Sequence, residues 1–252
     1  MPVSPPRYSI LIPTALAIGL SLLAGKRRSF LHDSQAFVRR LRPPPEQHGT
    51  PWRGSRTGYV VVANHYHSPT FRSWWIALTL TAILGEEVHW VMSDAWTYPD
   101  RLRSRLVSPA TRRVFRRLAH MYGFTSMPPM PPRPWEVKAR ARSVLEVLAY
   151  IRQSPRPVLG LVPEGSDTAD GAVMRPPLGV GRFLSLLVRA GLPLLPAGVY
   201  EADDRLHIRW GTPIHALPAV SGTAAERDRR TADSVMQAIA ACLPSSLRGP
   251  YP

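Results

Sequence analysis

The chain holds a single cysteine, Cys242, among 252 residues. No internal disulfide can form and no thiolate cluster can bind metal, so the fold must rest on its core, as suits a reducing compartment. Lysine is nearly missing, with Lys26 and Lys138 the only ones, and acid is scarce. Only 17 Asp and Glu stand against 32 Lys and Arg, a formal charge of +15. Preference for Arg over Lys is also what a GC-rich coding sequence produces, but the charge itself stands. It requires a partner carrying negative charge, either anionic lipid or nucleic acid. No helix-turn-helix, zinc module or aromatic RNA-binding signature supports nucleic acid, so no nucleic-acid partner is expected. No uncharged stretch reaches the roughly 20 residues that a helix needs to cross a bilayer core.

The nearest approach is Ser9 to Gly25, flanked by Arg7 and by Lys26-Arg27-Arg28. A cleaved signal peptide is not expected, because its basic flank would come first and no small-x-small site is present after it. Pro13 and Gly19 would weaken a soluble helix but are tolerated in lipid. The candidates are a short spanning helix, an interfacial or re-entrant anchor, or a helix buried on the domain. A basic run after the segment would keep the rest of the chain on the cytoplasmic face of a membrane, as a peripheral protein or on one N-terminal anchor.

Hydrophobic residues make up 44% of the chain, enough for one large α/β domain or a domain with an appended segment. A helix is expected over Phe30 to Leu41, stopped by Pro43-Pro44-Pro45, with a polar loop to Gly54. From residue 58 strands and helices alternate. Strands are read at Gly58 to Ala63, Val88 to Met92, the run to Val162, Leu194 to Tyr200 and Leu206 to Trp210. Helices are read at Trp74 to Leu84, Glu136 to Ile151, Gly181 to Ala190, and from the capping box Thr223-Ala224-Ala225-Glu226 to Leu243. Asp100 to Tyr122 is arginine-rich and helical, with Pro109 expected to break it in two. Its Leu102, Leu106, Val114 and Leu118 leave a basic face that suits acidic headgroups. Met127 to Pro134 is a proline-rich loop. The alternation predicts an α/β fold with a mixed, mostly parallel sheet flanked by helices, preceded by an apolar helical segment.

Chemistry gathers where apolar strands stop. Val60-Val61-Val62-Ala63 ends at Asn64-His65, and Val158-Leu159-Gly160-Leu161-Val162 ends at Pro163-Glu164-Gly165-Ser166. Were the two strands parallel neighbours, the histidine and glutamate would meet at one edge of the sheet. His65-x-His67 offers two metal ligands but no third is placed, so no metal is expected there. Ser166 lacks the Gly-x-Ser-x-Gly elbow of a serine hydrolase.

This order of motifs resembles the glycerolipid acyltransferase family, whose first motif is Asn-His-x-x-x-x-Asp and whose third is Phe-Pro-Glu-Gly-Thr-Arg. The resemblance runs on through Gly181-Arg182-Phe183, Ala190-Gly191-Leu192-Pro193-Leu194-Leu195-Pro196-Ala197-Gly198-Val199 and Gly211-Thr212-Pro213-Ile214, so it spans about residues 57 to 215. It implies a membrane enzyme that moves a fatty acyl group from acyl-CoA or acyl-carrier protein, a co-substrate rather than a cofactor, to a hydroxyl. The acceptor class is glycerol-phosphate, lysophospholipid or a relative of these. His65 would be the general base, with Asn64 beside it. Pro163, Glu164, Gly165 and Ser166 would position the acceptor. No metal or covalent intermediate is implied. The division expected is a membrane-associating helical segment over 1–42, a linker over 43–56, the acyltransferase-like domain over 57–215 and a C-terminal helix and tail over 216–252.

Three positions depart from the family pattern. Thr70 stands where the family has the aspartate that orients the histidine, so Thr70, Ser68 or Asp94 is left to hold the ring. Asp167 replaces the arginine of the third motif, and Gly123-Phe124-Thr125-Ser126-Met127 offers none for the second, leaving Arg133, Arg175 or Arg182 for a phosphate. The alternative is therefore a catalytically impaired relative that binds lipid or acyl chains without turnover.

Overall fold

The computed structural model describes residues 8, 11–52, 57–96, 101–130, 133–166 and 168–251, and over 101–106 the backbone alone. In chain order it contains helices α1 (Ile12–Ala24) and α2 (Phe30–Val38), strands β1 (Glu46–His48) and β2 (Tyr59–Ala63), helix α3 (Trp74–Leu84) and strand β3 (His89–Ser93). Next come helix α4 (Arg101–Tyr122), strand β4 (Thr125–Met127), helix α5 (Val137–Gln153) and strand β5 (Val158–Leu161). Helix α6 (Val180–Arg189), strands β6 (Leu194–Ala202) and β7 (Arg205–Trp210), and helix α7 (Ala224–Ala240) complete it. The strands form one seven-stranded sheet in the order β1-β7-β6-β2-β5-β3-β4, parallel at every pairing except β6 with β7. This is the mixed, largely parallel α/β architecture that the alternation predicted.

β2 lies at the middle, with every residue buried. It pairs with β5 through Val60 and Leu159 and with β6 through Val60 and Leu194, so helices must cover both faces of the sheet. Gly160 makes room for this packing. A Cβ there would lie 2.4 Å from the ring of Trp90 on β3, whose indole N–H donates to Thr81 Oγ1 of α3 at 3.0 Å. The helices α6 and α7 cross closely because Gly181 has no side chain, and Asp228 of α7 accepts from the amides of Gly179 and Arg182, each at 2.6 Å. That carboxylate satisfies the start of α6, where it complements the positive end of the helix.

Three stretches differ from their sequence-based expectation. The polar linker contains β1, which pairs in parallel with β7 at one edge of the sheet. Its Glu-Gln-His sequence carries no hydrophobic alternation because an edge strand can leave its side chains partly in water. Helix α4 runs unbroken through Pro109. The ring is exposed, so the carbonyl that loses its hydrogen bond can be solvated. Strand β4 also falls in a stretch read without a strand. Ser9 and Ile10, and the side chains of Arg101, Leu102, Arg103, Arg105 and Leu106, lie outside the described residues.

Helix α1 has no buried residue and turns Ile12, Leu16, Leu20 and Leu23 outward. Of the three candidates for this segment, that does not fit a helix buried on the domain. Among the described residues no helix is long and apolar enough to cross a membrane.

The β3–β4 edge carries a titratable group. His89 is stacked on Tyr150, its Nε2 lies 2.9 Å from Thr125 Oγ1, and burial lowers its pKa from 6.5 to about 4. The unfolded chain therefore takes up a proton that the folded chain refuses. Stability is full above pH 6.5 and should be lost as pH falls from 6.5 toward 4. Urea unfolding across that range should show a flatter pH dependence in His89→Gln than in the wild type.

Candidate active site

The ends of β2, β5 and β6 lie side by side, and the residues singled out in the sequence sit just beyond them. Asn64 is fully buried. Its Nδ2 donates to the carbonyl of Val199 at 2.9 Å, and its Oδ1 accepts from the Val199 amide at 2.8 Å. A side-chain amide thus extends the β2–β6 ladder by one more pair, immediately before His65. On the β5 side, Glu164 is 1% exposed, and its two oxygens accept from the backbone amides of His65 at 2.6 Å and Met174 at 2.7 Å. The expected meeting of histidine and glutamate does occur, with the contact made by the histidine main chain. The His65 side chain is half-buried between these two anchors.

The loop from Pro163 to Pro177 is closely tied to the His65 loop. Gly171 has φ +72°, and a Cβ there would fall 2.5 Å from the carbonyl of His67. Val173 donates to the carbonyl of Leu247 at 2.9 Å, which brings the C-terminal tail against the same loop. Pro163 is buried and Gly165 exposed, with φ +72° at the glycine. Ser166 Oγ lies 3.4 Å from Met174 Sδ. Arg175 and Arg182 are both exposed. Arg133 places its guanidinium over Trp135, 5.8 Å from the ring centroid. Asp167 lies outside the described residues.

The groups considered as holders of the imidazole have other neighbours. Thr70 is exposed, with its hydroxyl 3.5 Å from that of Ser68. Ser68 donates to Glu201 Oε2 at 2.6 Å and accepts from the Phe71 amide at 3.1 Å. Asp94 faces α4, with Arg116 Nη2 at 3.1 Å and Arg112 Nε at 3.4 Å. Its carboxylate is engaged two strands away from His65, across β5.

Glu201, near the end of β6, was not singled out in the sequence. It accepts from Ser68, from Tyr66 at 3.3 Å and from Tyr8. Burial and this carboxylate push the Tyr66 hydroxyl up to about 12 and raise that of Tyr8 further. Both phenols therefore stay protonated donors, and they tie the N-terminal region to the loop after His65. No motif marks Glu201; only its position at a strand end would have drawn attention.

Beside Pro163 and Gly165 lies a cavity of about 160 Å³. Met92, Met130, Val144, Leu161, Leu178 and Phe183 give it a mainly apolar wall, and Arg140 supplies a cation. Arg140 Nη2 donates to the Pro129 carbonyl at 3.1 Å and lies 3.8 Å from Glu136, while burial lowers its pKa. Arg140 was not singled out in the sequence. The recess is lined by Pro163 and Gly165, the neighbours of the Glu164 that holds the His65 main chain.

Comparison with family models finds no match, and a search of curated proteins finds none either. Among solved structures, the chain is similar to the 1-acyl-sn-glycerophosphate (LPA) acyltransferase PlsC from Thermotoga maritima. Identity is 15%, the TM-score is 0.48, and the alignment covers 87% of this chain and 86% of that one.

Glu164 offers a direct check of the frame around His65. Glu164→Gln keeps its shape but turns an amide NH₂ toward one of two backbone N–H groups. The expected loss is about 1–3 kcal/mol. Hydrogen exchange should speed up at the amides of His65 and Met174 while the β6–β7 ladder stays protected.

Proposed function

We propose that this chain is a membrane-associated acyltransferase that moves a fatty acyl group from acyl-CoA or acyl-carrier protein to the hydroxyl of a glycerol-phosphate, lysophospholipid or related acceptor. The observation that carries the reading is the 2.6 Å bond from the His65 amide to Glu164, which joins the two motif loops across adjacent parallel strands. The motif resemblance and the apolar cavity beside Pro163 support it.

In this reading His65 takes the proton of the acceptor hydroxyl as its oxygen attacks the thioester carbonyl. The tetrahedral adduct collapses to the ester and expels the thiolate, which recovers the proton from the imidazolium. An unperturbed imidazole pKa of about 6.5 suits both halves of that exchange. Asn64 and Glu164 hold the main chain around the base. Gly165 and Ser166 face the acceptor, and Arg175 and Arg182 are the cations offered to its phosphate. The acyl chain enters the cavity lined by Met130 and Phe183. Residues 57–215 form the catalytic unit, and 216–252 brace it.

Residues 1–42 contribute the attachment to the cytoplasmic face of the membrane. The outward apolar side of α1 and a groove of about 530 Å³ between α1 and α4, lined by Arg112, Arg113, Arg116 and Arg117, support contact with anionic headgroups.

A second reading, a lipid-binding relative without turnover, is favoured by Thr70, which is exposed where the family pattern has an aspartate. Purified protein given acyl-CoA or acyl-carrier protein with a panel of lysolipids and glycerol-phosphate separates the two. Transfer that drops at least about 10²-fold in His65→Ala supports the enzyme, in line with the size of general-base contributions. Acyl-chain binding without His65-dependent transfer supports the second reading, and a large gain on Thr70→Asp would mark a degraded site. Narrowing the recess by Val144→Phe should shift the preferred chain to shorter lengths.

A further inference from the structure

The edge formed by β1 and β7 carries a cluster that the acyl-transfer reading leaves unused. Glu46 and His48 alternate along β1 and turn to the same face, and Glu46 is in register with His207 on β7. His48 Nε2 lies 2.8 Å from His207 Nδ1 and 3.7 Å from Glu46 Oε1. One ligand atom from each of the three residues lies within 4.8 Å of the others. The imidazole planes differ by 11° with centroids 5.1 Å apart. At that nitrogen separation the rings meet edge to edge, joined by an N–H···N hydrogen bond.

The tautomer is also set. His207 is buried, and its Nε2 lies 2.9 Å from the carbonyl of Ala202. A carbonyl only accepts, so Nε2 carries the proton and Nδ1 presents its lone pair to His48. An imidazole with its far N–H held by a main-chain carbonyl is the arrangement found in metal-ligating histidines.

We propose that Glu46, His48 and His207 bind a divalent ion of the zinc class. A tetrahedral ion with bonds of about 2.0–2.1 Å sets its donors roughly 3.3 Å apart. The separations of 2.8 and 3.7 Å bracket that spacing, and the partly exposed His48 ring has to rotate out of its hydrogen bond with His207 to aim Nε2 at the ion. Two imidazoles and one carboxylate suit zinc better than calcium or magnesium, which take oxygen donors. In the free protein a proton on His48 Nε2 bridges the rings. The ion replaces it, and that proton moves to Nδ1 of the same ring. The half-exposed Glu46 leaves a further coordination position open to solvent. Bound there, the ion clamps β1, and with it the segment before β2, onto the sheet. Arg205 opposes it, with Nη1 3.9 Å from Glu46 Oε2 competing for the carboxylate.

The test is calorimetric titration of chelator-treated full-length protein with Zn²⁺. One ion should bind per chain and raise the melting temperature. His48→Gln, which removes a half-exposed ligand and leaves the buried His207 in place, should weaken binding by about 10–100-fold or more, the scale of losing an outer-shell partner or greater. Arg205→Gln should tighten binding, which a purely structural edge would not do. Absence of stoichiometric binding by folded wild type, or unchanged affinity in folded His48→Gln, overturns the proposal. The outcome is independent of acyl transfer, because these residues lie across β6 from β2.

Discussion

A buried carboxylate holding two backbone amides is the constraint on which the site depends. Taking a charged group out of water costs several kcal/mol, and the charge persists only where donors replace the lost solvent. Glu164 meets that condition with the amides of His65 and Met174, one from each of the two loops that close over the strand ends. Asn64 applies the same logic toward β6 with a neutral group. The main chain of His65 is therefore fixed from both sides, independently of its ring. Any small-molecule chemistry at this edge inherits that rigidity.

Most of the frame could be read in the sequence because it is written in period and punctuation. Tyr59 to Ala63 is apolar throughout, as only a central strand can be, and Trp74 to Leu84 begins and ends as a helix where Gly85 predicts. The adjacency of Asn64-His65 and Glu164 came directly from taking β2 and β5 as parallel neighbours. The unread parts share a physical cause. β1 and β4 are three residues long, too short for alternation to show. Pro109 was expected to break a helix, but an exposed proline in a long helix costs only a local bond. Glu201, Met174 and Arg140 act through distance relations that no local spacing encodes, and Glu164 contacts the histidine backbone, a detail invisible to residue types.

The charge excess that dominates the composition is not spread evenly in its consequences. Arg112 and Arg116 are partly neutralised by Asp94, whereas Arg113 and Arg117 face solvent on the same helix. The basic groove they share with α1 adjoins an outward apolar stripe, so one side of the molecule combines both properties that a lipid interface rewards. At the edge that carries His65 the carboxylates, Glu164 and Glu201, accept from internal donors, while Arg175 and Arg182 stand exposed.

The outer strands of the sheet also bear on how the protein behaves in a crowded solution. Both margins are three-residue strands, and on one of them every side chain is polar. A foreign strand seeking to extend the sheet would find too few open backbone groups to register against and a hydrophilic rim beside them. A protein with a five-residue, wholly apolar central strand is thereby shielded from growing into a larger sheet with copies of itself.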